Sequence, residues 1–132
     1  MTEFDLQIVT HDGLMFDGKA QKIIVRTTEG DVGILAKHTN YVAALSIGVA
    51  RIFTEAGERK AACAGGMLSV TDGVTRIAAS TFEWAEDIDV ARAERAKENA
   101  EKRLADSKQS DYEHDLAEFK LKKSLARLNA SK

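Results

Sequence analysis

Residues 67–79, Met-Leu-Ser-Val-Thr-Asp-Gly-Val-Thr-Arg-Ile-Ala-Ala, carry the strongest turn signal in the chain. Asp72-Gly73 separates two runs, at 67–71 and 74–79, that are rich in apolar and β-branched residues. An Asp-Gly pair between such runs is typical of a tight β-hairpin, because Gly and Asp tolerate the positive φ angles of the turn. The segment therefore predicts two antiparallel strands.

The sequence before this hairpin also consists of short strand-like runs separated by glycine-containing turns. Phe4, Leu6 and Ile8 alternate with other residues, which is the period-two pattern of a strand. The other predicted strands lie at 22–28, 32–35, 42–53 and 60–64, and Gly48 predicts a bend or bulge in the longest of them. Strands at this close spacing predict a β-sandwich or a β-barrel rather than βαβ units.

The rest of the chain has a different composition. All nine glycines precede residue 85, whereas residues 85–132 hold 11 acidic and 11 basic side chains. A glycine-free segment rich in alanine and charged residues is typical of helices. We therefore predict two domains, a β domain at 1–84 and a helical one at 85–132.

Hydrophobic spacing predicts helices at 88–105 and 111–128, joined by a polar connection at 106–110. Asp87 or Asp89 is the predicted N-cap of the first helix. The predicted apolar stripes are Val90, Ala93, Ala96, Ala100 and Leu104 on the first helix, and Ala117, Leu121, Leu125 and Leu128 on the second. Because a buried alanine contributes little hydrophobic free energy, the first stripe predicts a hairpin that docks weakly and can move.

Composition and motifs exclude several classes of function. A net charge of -2 excludes a generic basic nucleic-acid binder, and no apolar run reaches the ~18 residues of a transmembrane helix. The acidic start and the single cysteine, Cys63, predict a cytosolic chain with neither a signal peptide nor an internal disulfide. No Cys/His cluster has zinc spacing, so no metal is expected. Gly65-Gly66 precedes Met67-Leu68 rather than Lys-Ser/Thr, which excludes a Walker phosphate loop.

Several stretches, taken in order along the chain, resemble the epsilon subunit of the bacterial and chloroplast F-type ATP synthase. They are Leu6-Gln7-Ile8-Val9-Thr10 with Gly13, Thr28-Glu29-Gly30-Asp31-Val32-Gly33-Ile34-Leu35 followed by His38 and Val42-Ala43-Ala44-Leu45, Gly65-Gly66-Met67-Leu68-Ser69-Val70, and the I/L-D-x-x-R-A signature Ile88-Asp89-Val90-Ala91-Arg92-Ala93. The resemblance covers nearly the whole chain. The sequence departs from it at His11 and at Ala36 or Lys37, where the family often has Pro, so we expect altered loops and the same fold.

This resemblance implies an α+β fold, with an N-terminal flattened β-sandwich and a C-terminal antiparallel two-helix hairpin. It implies that the sandwich binds the gamma subunit and the c-ring, as part of the rotor of a proton-translocating enzyme at the cytoplasmic face of the cell membrane. The hairpin would lie folded on the sandwich, or extend along gamma to the alpha and beta subunits and inhibit ATP hydrolysis. The subunit would then be a peripheral membrane protein with no catalytic residue and no nucleic-acid partner.

The resemblance also implies a regulatory ATP site, since some members bind ATP in the folded form, although no cofactor is required. Asp89 would accept from the adenine amino group or the backbone beside it, Arg92 would face phosphate, and Ile88 and Ala93 would line the base. The further site residues carried over are Glu83, Lys123 and Arg127. The structural alternative is that the signature only starts a helix, with Asp89 capping free N–H groups.

Other functions remain to be weighed against this one. A stand-alone ATP-binding sensor module is the main alternative, and exposed apolar surface on the sandwich would count against it. A small hydrolase needs a nucleophile–base pair, which His11, His38 and a Cys63 expected to be buried and inert do not supply. A coiled-coil adaptor does not explain the β pattern. Four cations form either a solvated face or a contact with acidic residues of the catalytic head: Lys120, Lys122, Lys123 and Arg127.

Overall fold

The computed structural model describes residues 2–106, 108 and 110–132. Within them the chain forms eight strands, a 3₁₀ turn at Ala85–Asp87 and two helices. The strands are β1 Phe4–Thr10, β2 Gly13–Ala20, β3 Lys22–Thr27, β4 Gly30–Leu35, β5 Tyr41–Ala44, β6 Ile47–Thr54, β7 Gly57–Thr71 and β8 Val74–Trp84. The helices are α1 Val90–Leu104 and α2 Asp111–Ser131. This architecture confirms the predicted α+β fold.

The strands form a two-layered sandwich because the two longest, β7 and β8, belong to both layers. The first half of β7 pairs with β6, and its second half pairs with β5. β8 pairs with β7 along its length and runs parallel to β1 over its first half. One layer is therefore β2-β1-β8-β7-β5, and the other is β8-β7-β6-β3-β4.

β7 changes layer at Gly65-Gly66, which have φ values of 72° and 106°. A Cβ at Gly66 would lie 2.1 Å from the carbonyl oxygen of Ala78, so the close approach of β7 and β8 requires glycine there. The chain opposite also breaks, between β5 and β6, where the Leu45 N–H donates to the Gly66 carbonyl across 2.8 Å. The single strand predicted at 42–53 is therefore wrong.

Three other details differ from the predicted strands. Gly48 lies within β6 and makes no bend. A Cβ there would be 2.6 Å from that of Arg26, so the glycine leaves room for this side chain. The strands predicted at 60–64 and 67–71 are two halves of β7. β2 was not predicted, because this edge strand leaves most of its side chains exposed or half-buried and shows no apolar alternation.

The sandwich has its own apolar core, and every residue of that core lies between Phe4 and Trp84. The largest of its fully buried hydrophobic side chains are Leu6, Ile8, Ile23, Ile34, Ile52, Leu68, Ile77 and Val25. At one end, the Phe82 and Trp84 rings pack edge to face with centroids 4.9 Å apart. Because the strands supply all of these side chains, the sandwich buries its core without the helices.

The helices pack on the outside of β7 through a second, smaller cluster. Its buried members are Ala62 of β7 and Ala126 and Ala130 of α2. On the opposite face of the same strand, Ala61 and Cys63 belong to the sandwich core. This double coverage explains why four consecutive residues of β7, at 61–64, are all buried.

The helices begin close to the predicted residues but bury different faces. Asp89 is the N-cap of α1, because its Oδ1 accepts from the Arg92 N–H across 3.1 Å. α2 runs beyond 128 to Ser131. The leucine stripe predicted for α2 is wrong: Leu125 is exposed, and Leu121 and Leu128 are only half-buried. The buried residues of α2 are small, namely Ala117, Ser124, Ala126 and Ala130.

The start of α1 and the link between the helices complete the comparison. Val90, the first residue of the predicted stripe of α1, is 42% exposed, whereas Ala93 and Ala100 are buried. The predicted connection at 106–110 is described at three positions, and Ser107 and Gln109 lie outside the described residues. The division of the chain into domains at residue 84 stays a prediction.

Candidate nucleotide site

Five of the seven predicted site residues line one small cleft. They are Glu83 of β8, Asp89 at the N-cap of α1, Arg92 and Ala93 of α1, and Arg127 of α2. The cleft has a volume of about 90 Å³. Residues from the sandwich and from both helices meet here only because the hairpin is folded onto β6 and β7.

An ion pair crosses this cleft. The Arg127 guanidinium donates from Nε to Glu83 Oε1 across 3.1 Å, and both side chains are partly buried. The pair ties α2 to β8. In the folded hairpin, Arg127, one of the basic residues carried over for the site, is therefore already paired with a carboxylate of the chain itself.

A larger cleft of about 250 Å³ lies between the two helices and shares Arg127 with the first. Its other charged lining residues are Arg103 of α1 and Lys120 and Lys123 of α2. Ala96, Asn99, Ala100 and Ser124 complete the lining, so no carboxylate belongs to it within the described chain. Four cations around one groove repel one another and favour a bound anion.

The remaining two predicted residues have separate positions. Lys123 lies in the larger cleft, with its Nζ 5.4 Å from the centroid of the Phe119 ring. Ile88 is half-buried and packs against the alanine cluster that joins α2 to β7. Ile88 therefore contacts the docking interface, which the small cleft adjoins through Arg127.

Arg103 was not predicted as a site residue, and Lys120 was predicted only as part of a charged face. Lys120, Lys123 and Arg127 follow one another at spacings of three and four, which places them on one side of α2. This spacing would have been enough to group Lys120 with the two predicted site residues. Arg103 had no comparable signal, because its position opposite Lys120 depends on how the two helices pair.

The docking interface of α2 is narrow. Besides the alanine cluster, it includes the half-buried Ile47 and Val49 of β6. Cavities of about 220 Å³ and 350 Å³ flank α2, the first containing Cys63 and Phe82 and the second Arg26 and Lys122. The three buried alanine methyl groups contribute only about 2.4 kcal/mol at ~0.8 kcal/mol each, and Ile47, Val49 and Ile88 add partly buried contacts.

Cys63 and His38, which were weighed as catalytic groups, have surroundings typical of structural residues. Cys63 is buried, and burial raises the pKa of its thiol to about 12. The His38 ring donates from Nδ1 to the Thr39 carbonyl across 2.8 Å and packs edge-on to Tyr41.

No group of three or more His, Cys, Asp or Glu residues suited to a metal ion occurs among the described residues. None of the described helices is long and apolar enough to cross a membrane.

The fold and the clefts define a two-part protein, in which a β-sandwich carries a helical hairpin and ligand-type side chains lie where the two parts meet. Known proteins of this class match both parts. Residues 3–85 match the family described as ATP synthase, Delta/Epsilon chain, beta-sandwich domain, and residues 86–132 match the family's long alpha-helix domain.

Individual relatives agree with this match. The ATP synthase epsilon chain of Ruminococcus albus is 39% identical over 132 residues, which cover 99% of this chain and 98% of the relative. That of Alkaliphilus oremlandii is 49% identical over 104 residues, covering 79% and 78% of the two chains. The chain belongs to the ATP synthase epsilon chain family.

Solved structures show the same fold. A chain in the Euglena gracilis mitochondrial ATP synthase structure, OSCP/F1/c-ring in rotational state 1, superposes with a TM-score of 0.85 at 25% identity. The match covers 99% of this chain and 82% of that chain. A chain in the Tetrahymena thermophila central stalk/c-ring structure, at 16% identity and a TM-score of 0.64, shares the fold.

Proposed function

We propose that this chain is a non-catalytic rotor subunit of a proton-translocating ATP synthase, that its hairpin restrains ATP hydrolysis, and that ATP holds the hairpin folded. The sandwich would contact the gamma subunit and the c-ring, and the extended hairpin would reach the alpha and beta subunits. The subunit would thus be a peripheral protein at the cytoplasmic face of the cell membrane.

The observation that carries the proposed ATP response is the position of Arg127. This side chain lines both clefts, and with Asp89 and Arg92 it brings together residues from the two helices and β8. A ligand that contacts α1 and α2 together finds its full set of partners only in the folded hairpin. Such a ligand must therefore stabilise the folded state.

The charges of the two clefts fit a nucleotide with several phosphates. The cleft of about 250 Å³ has four cations for a phosphate tail, and the small cleft has Asp89 and Ala93 beside Arg92 for the base end. Lys123 supplies charge without the two-pronged fork of an arginine. Arg127 would exchange Glu83 for phosphate, or contact both.

The magnitudes make an ATP-controlled hairpin feasible. Docking through three buried alanine methyl groups is worth about 2.4 kcal/mol. ATP at one hundred times its Kd stabilises the state that binds it by about 2.7 kcal/mol. Because the two free energies are of similar size, ATP at one hundred times its Kd would shift the hairpin population towards the folded state.

Isothermal titration of ATP into the isolated chain tests the site. Asp89→Ala, Arg92→Ala and Arg127→Ala should each weaken binding by about 10- to 100-fold, because each loses a charge-assisted contact. Lys102→Gln is the matched control, since this exposed lysine neighbours Arg103 on α1 but lines neither cleft. Absence of heat and saturation at millimolar ATP would remove the site and leave family membership intact.

Distances between spin labels test the hairpin response. Because Cys63 is buried, it is a poor label site and is first replaced by alanine. Labels at Glu55, on the turn after β6, and at Asp115 of α2 then report the hairpin, since both residues are exposed. The distance distribution should narrow as ATP rises, with a midpoint that follows the binding curve. A distribution that ignores bound ATP would mean that another signal moves the hairpin.

A stand-alone ATP sensor is the alternative function. It shares the clefts but needs no partner for the sandwich. Four large apolar side chains on the described part of the sandwich are well exposed: Leu14 at 59%, Leu35 at 51%, Val42 at 64% and Met67 at 46%. Such exposed apolar side chains favour a covered surface in an assembly over a stand-alone module. Recovery of the chain with gamma from solubilised membranes distinguishes the two functions.

A further inference from the structure

The junction between the sandwich and the helices carries a contact that the nucleotide site does not use. Arg59 of β7 places its guanidinium carbon 3.7 Å from the centroid of the Trp84 ring. The same guanidinium donates from Nη2 to Glu86 Oε1 across 2.6 Å. One side chain of the sandwich therefore contacts the last residue of β8 and the middle of the 3₁₀ turn together.

The Trp84 ring beneath the Arg59 guanidinium is held rigidly by its neighbours. Trp84 is 5% exposed, and its ring packs edge-on against Phe82 at 4.9 Å and Phe16 at 6.4 Å. A planar cation stacked on a fixed aromatic ring has few orientations open to it, which directs its remaining donors at Glu86. The position of the turn is thus set by the sandwich core.

The turn at Ala85–Asp87 has no side-chain cap of its own at its start. α1, in contrast, is capped locally by Asp89, within four residues of the chain. Between the turn and α1 lie Ile88 and Asp89, both with extended backbone, at φ/ψ of -77°/126° and -81°/97°. The Ile88 N–H donates back to the Ala85 carbonyl across 3.3 Å, and the Asp89 carbonyl accepts from the Ala93 N–H ahead of it across 3.0 Å. The two separately held elements therefore meet at the peptide between Ile88 and Asp89.

We infer that Arg59 is a positioning residue that fixes the turn Ala85–Asp87 to the sandwich in both hairpin positions and so places the pivot of the hairpin at Ile88–Asp89. The inference rests on the mobile hairpin proposed above. Opening then breaks the Glu83–Arg127 pair and the alanine cluster, whereas the contacts of Arg59 with Trp84 and Glu86 persist.

Hydrogen exchange of the full chain tests the anchor. The reporter is the peptide covering 85–88, in which the Ile88 N–H donates to the Ala85 carbonyl across 3.3 Å. Arg59→Gln should speed its exchange about tenfold, because the stack and the ion pair are lost together. Arg59→Lys keeps the charge without the planar stack and should give a smaller increase.

Arg51→Gln is the matched control. Arg51 of β6 donates to Glu58 Oε1 across 2.6 Å and lies 5.2 Å from the Phe53 ring, so Arg51→Gln loses the same two kinds of contact. Glu58 precedes Arg59 on β7, and successive side chains of a strand point to opposite faces. Arg51→Gln should therefore leave exchange at 85–88 unchanged. Equal exchange in wild type and Arg59→Gln would overturn the anchor.

Label distances test the pivot in the same protein. The pair Glu55–Asp87 spans only the sandwich and the turn, whereas the pair Glu55–Asp115 spans the hairpin. Withdrawal of ATP should broaden the second distribution and leave the first unchanged. Broadening of both would overturn a pivot at Ile88–Asp89. If neither changes although ATP binds, the proposed ATP response fails, and hydrogen exchange alone decides the role of Arg59.

Discussion

Arg127 Nε of α2 lies 3.1 Å from Glu83 Oε1 of β8, and this pair crosses the boundary between the helical hairpin and the sandwich. Both side chains are about a third exposed, at 34% and 39%. Water therefore screens the attraction, and the pair orients α2 more than it stabilises it. The same arginine lines both clefts, so orientation of α2 and composition of the candidate site depend on one side chain.

A double-mutant cycle on Glu83→Gln and Arg127→Gln should give a coupling free energy below about 1 kcal/mol for hairpin closure, as expected for a partly exposed pair. The population of the closed state, read from the Glu55–Asp115 label distance, supplies the four values. Glu94→Gln on the exposed face of α1 is the control. A coupling indistinguishable from zero would show that the pair does not contribute to closure.

A fragment ending at Asp87 should fold on its own. The sandwich core lies between Phe4 and Trp84, and the helices add only the small alanine cluster to it. Circular dichroism should show a β spectrum with a cooperative thermal transition. The fragment should also assemble with the other rotor subunits. A disordered fragment would contradict the division of the chain at residue 84.

Removal of residues 107–132 should raise ATP hydrolysis by the assembled enzyme. α2 carries the basic residues that we propose contact the catalytic head, and a continuous helix from 88 to 128 would be about 60 Å long at ~1.5 Å per residue. The matched comparison is Lys120→Gln with Lys122→Gln in the full-length chain, which keeps the helix and removes part of its charge. Hydrolysis that stays equal in all three enzymes would argue against regulation by the hairpin.

Gly66→Ala should destabilise the sandwich by about 3 kcal/mol or more, because it combines a strained φ of 106° with overlap onto the Ala78 carbonyl. Gly13→Ala separates the two effects. Its φ of 125° is as unfavourable for alanine, but a Cβ there meets no atom within 4 Å. Urea unfolding should place Gly13→Ala between wild type and Gly66→Ala. Equal losses in the two variants would mean that overlap is unimportant.

The Cys63 thiol should be unreactive in the folded chain. Burial raises its pKa to about 12, so at pH 8 only about one thiol in ten thousand is ionised. A disulfide reagent should react slowly until denaturant exposes the thiol. Since the folded state holds this proton more tightly than the unfolded state, stability falls as pH rises above the unfolded thiol pKa. Cys63→Ala should remove that part of the alkaline pH dependence.

The sequence predicted those elements whose side chains alternate or whose turns require particular residues. Phe4, Leu6 and Ile8 face the core as the period of two requires, and Asp72-Gly73 turns β7 into β8. β2 was not predicted because the side chains of an edge strand need not alternate between apolar and polar. The break between β5 and β6 depends on the bend of β7 at Gly66, which is distant in sequence and therefore invisible to a local pattern.

For the second helix, the sequence predicted the wrong buried face. Leucine spacing on α2 predicted its buried face, yet the structure buries Ala126 and Ala130 and leaves Leu125 exposed. Close approach to β7 selects small side chains, so size outweighed hydrophobicity. For the candidate site, the resemblance supplied five residues that do share one cleft. Arg103 lines the larger cleft only because the two helices pair, and no single segment of the sequence encodes that pairing.

The alanine run of β7 has a consequence for the life of an open subunit. In the proposed open state, the strand face that α2 leaves would present Ala62 to water beside the half-buried Ile47 and Val49, and the helix would present Ala126 and Ala130. Small apolar groups scattered on a surface do not form the broad, contiguous apolar patch that drives aggregation. A hairpin docked through leucines would leave such a patch at every opening. If the hairpin opens as proposed, docking through small side chains would leave less apolar surface exposed than docking through leucines, which lowers the tendency of the open subunit to aggregate.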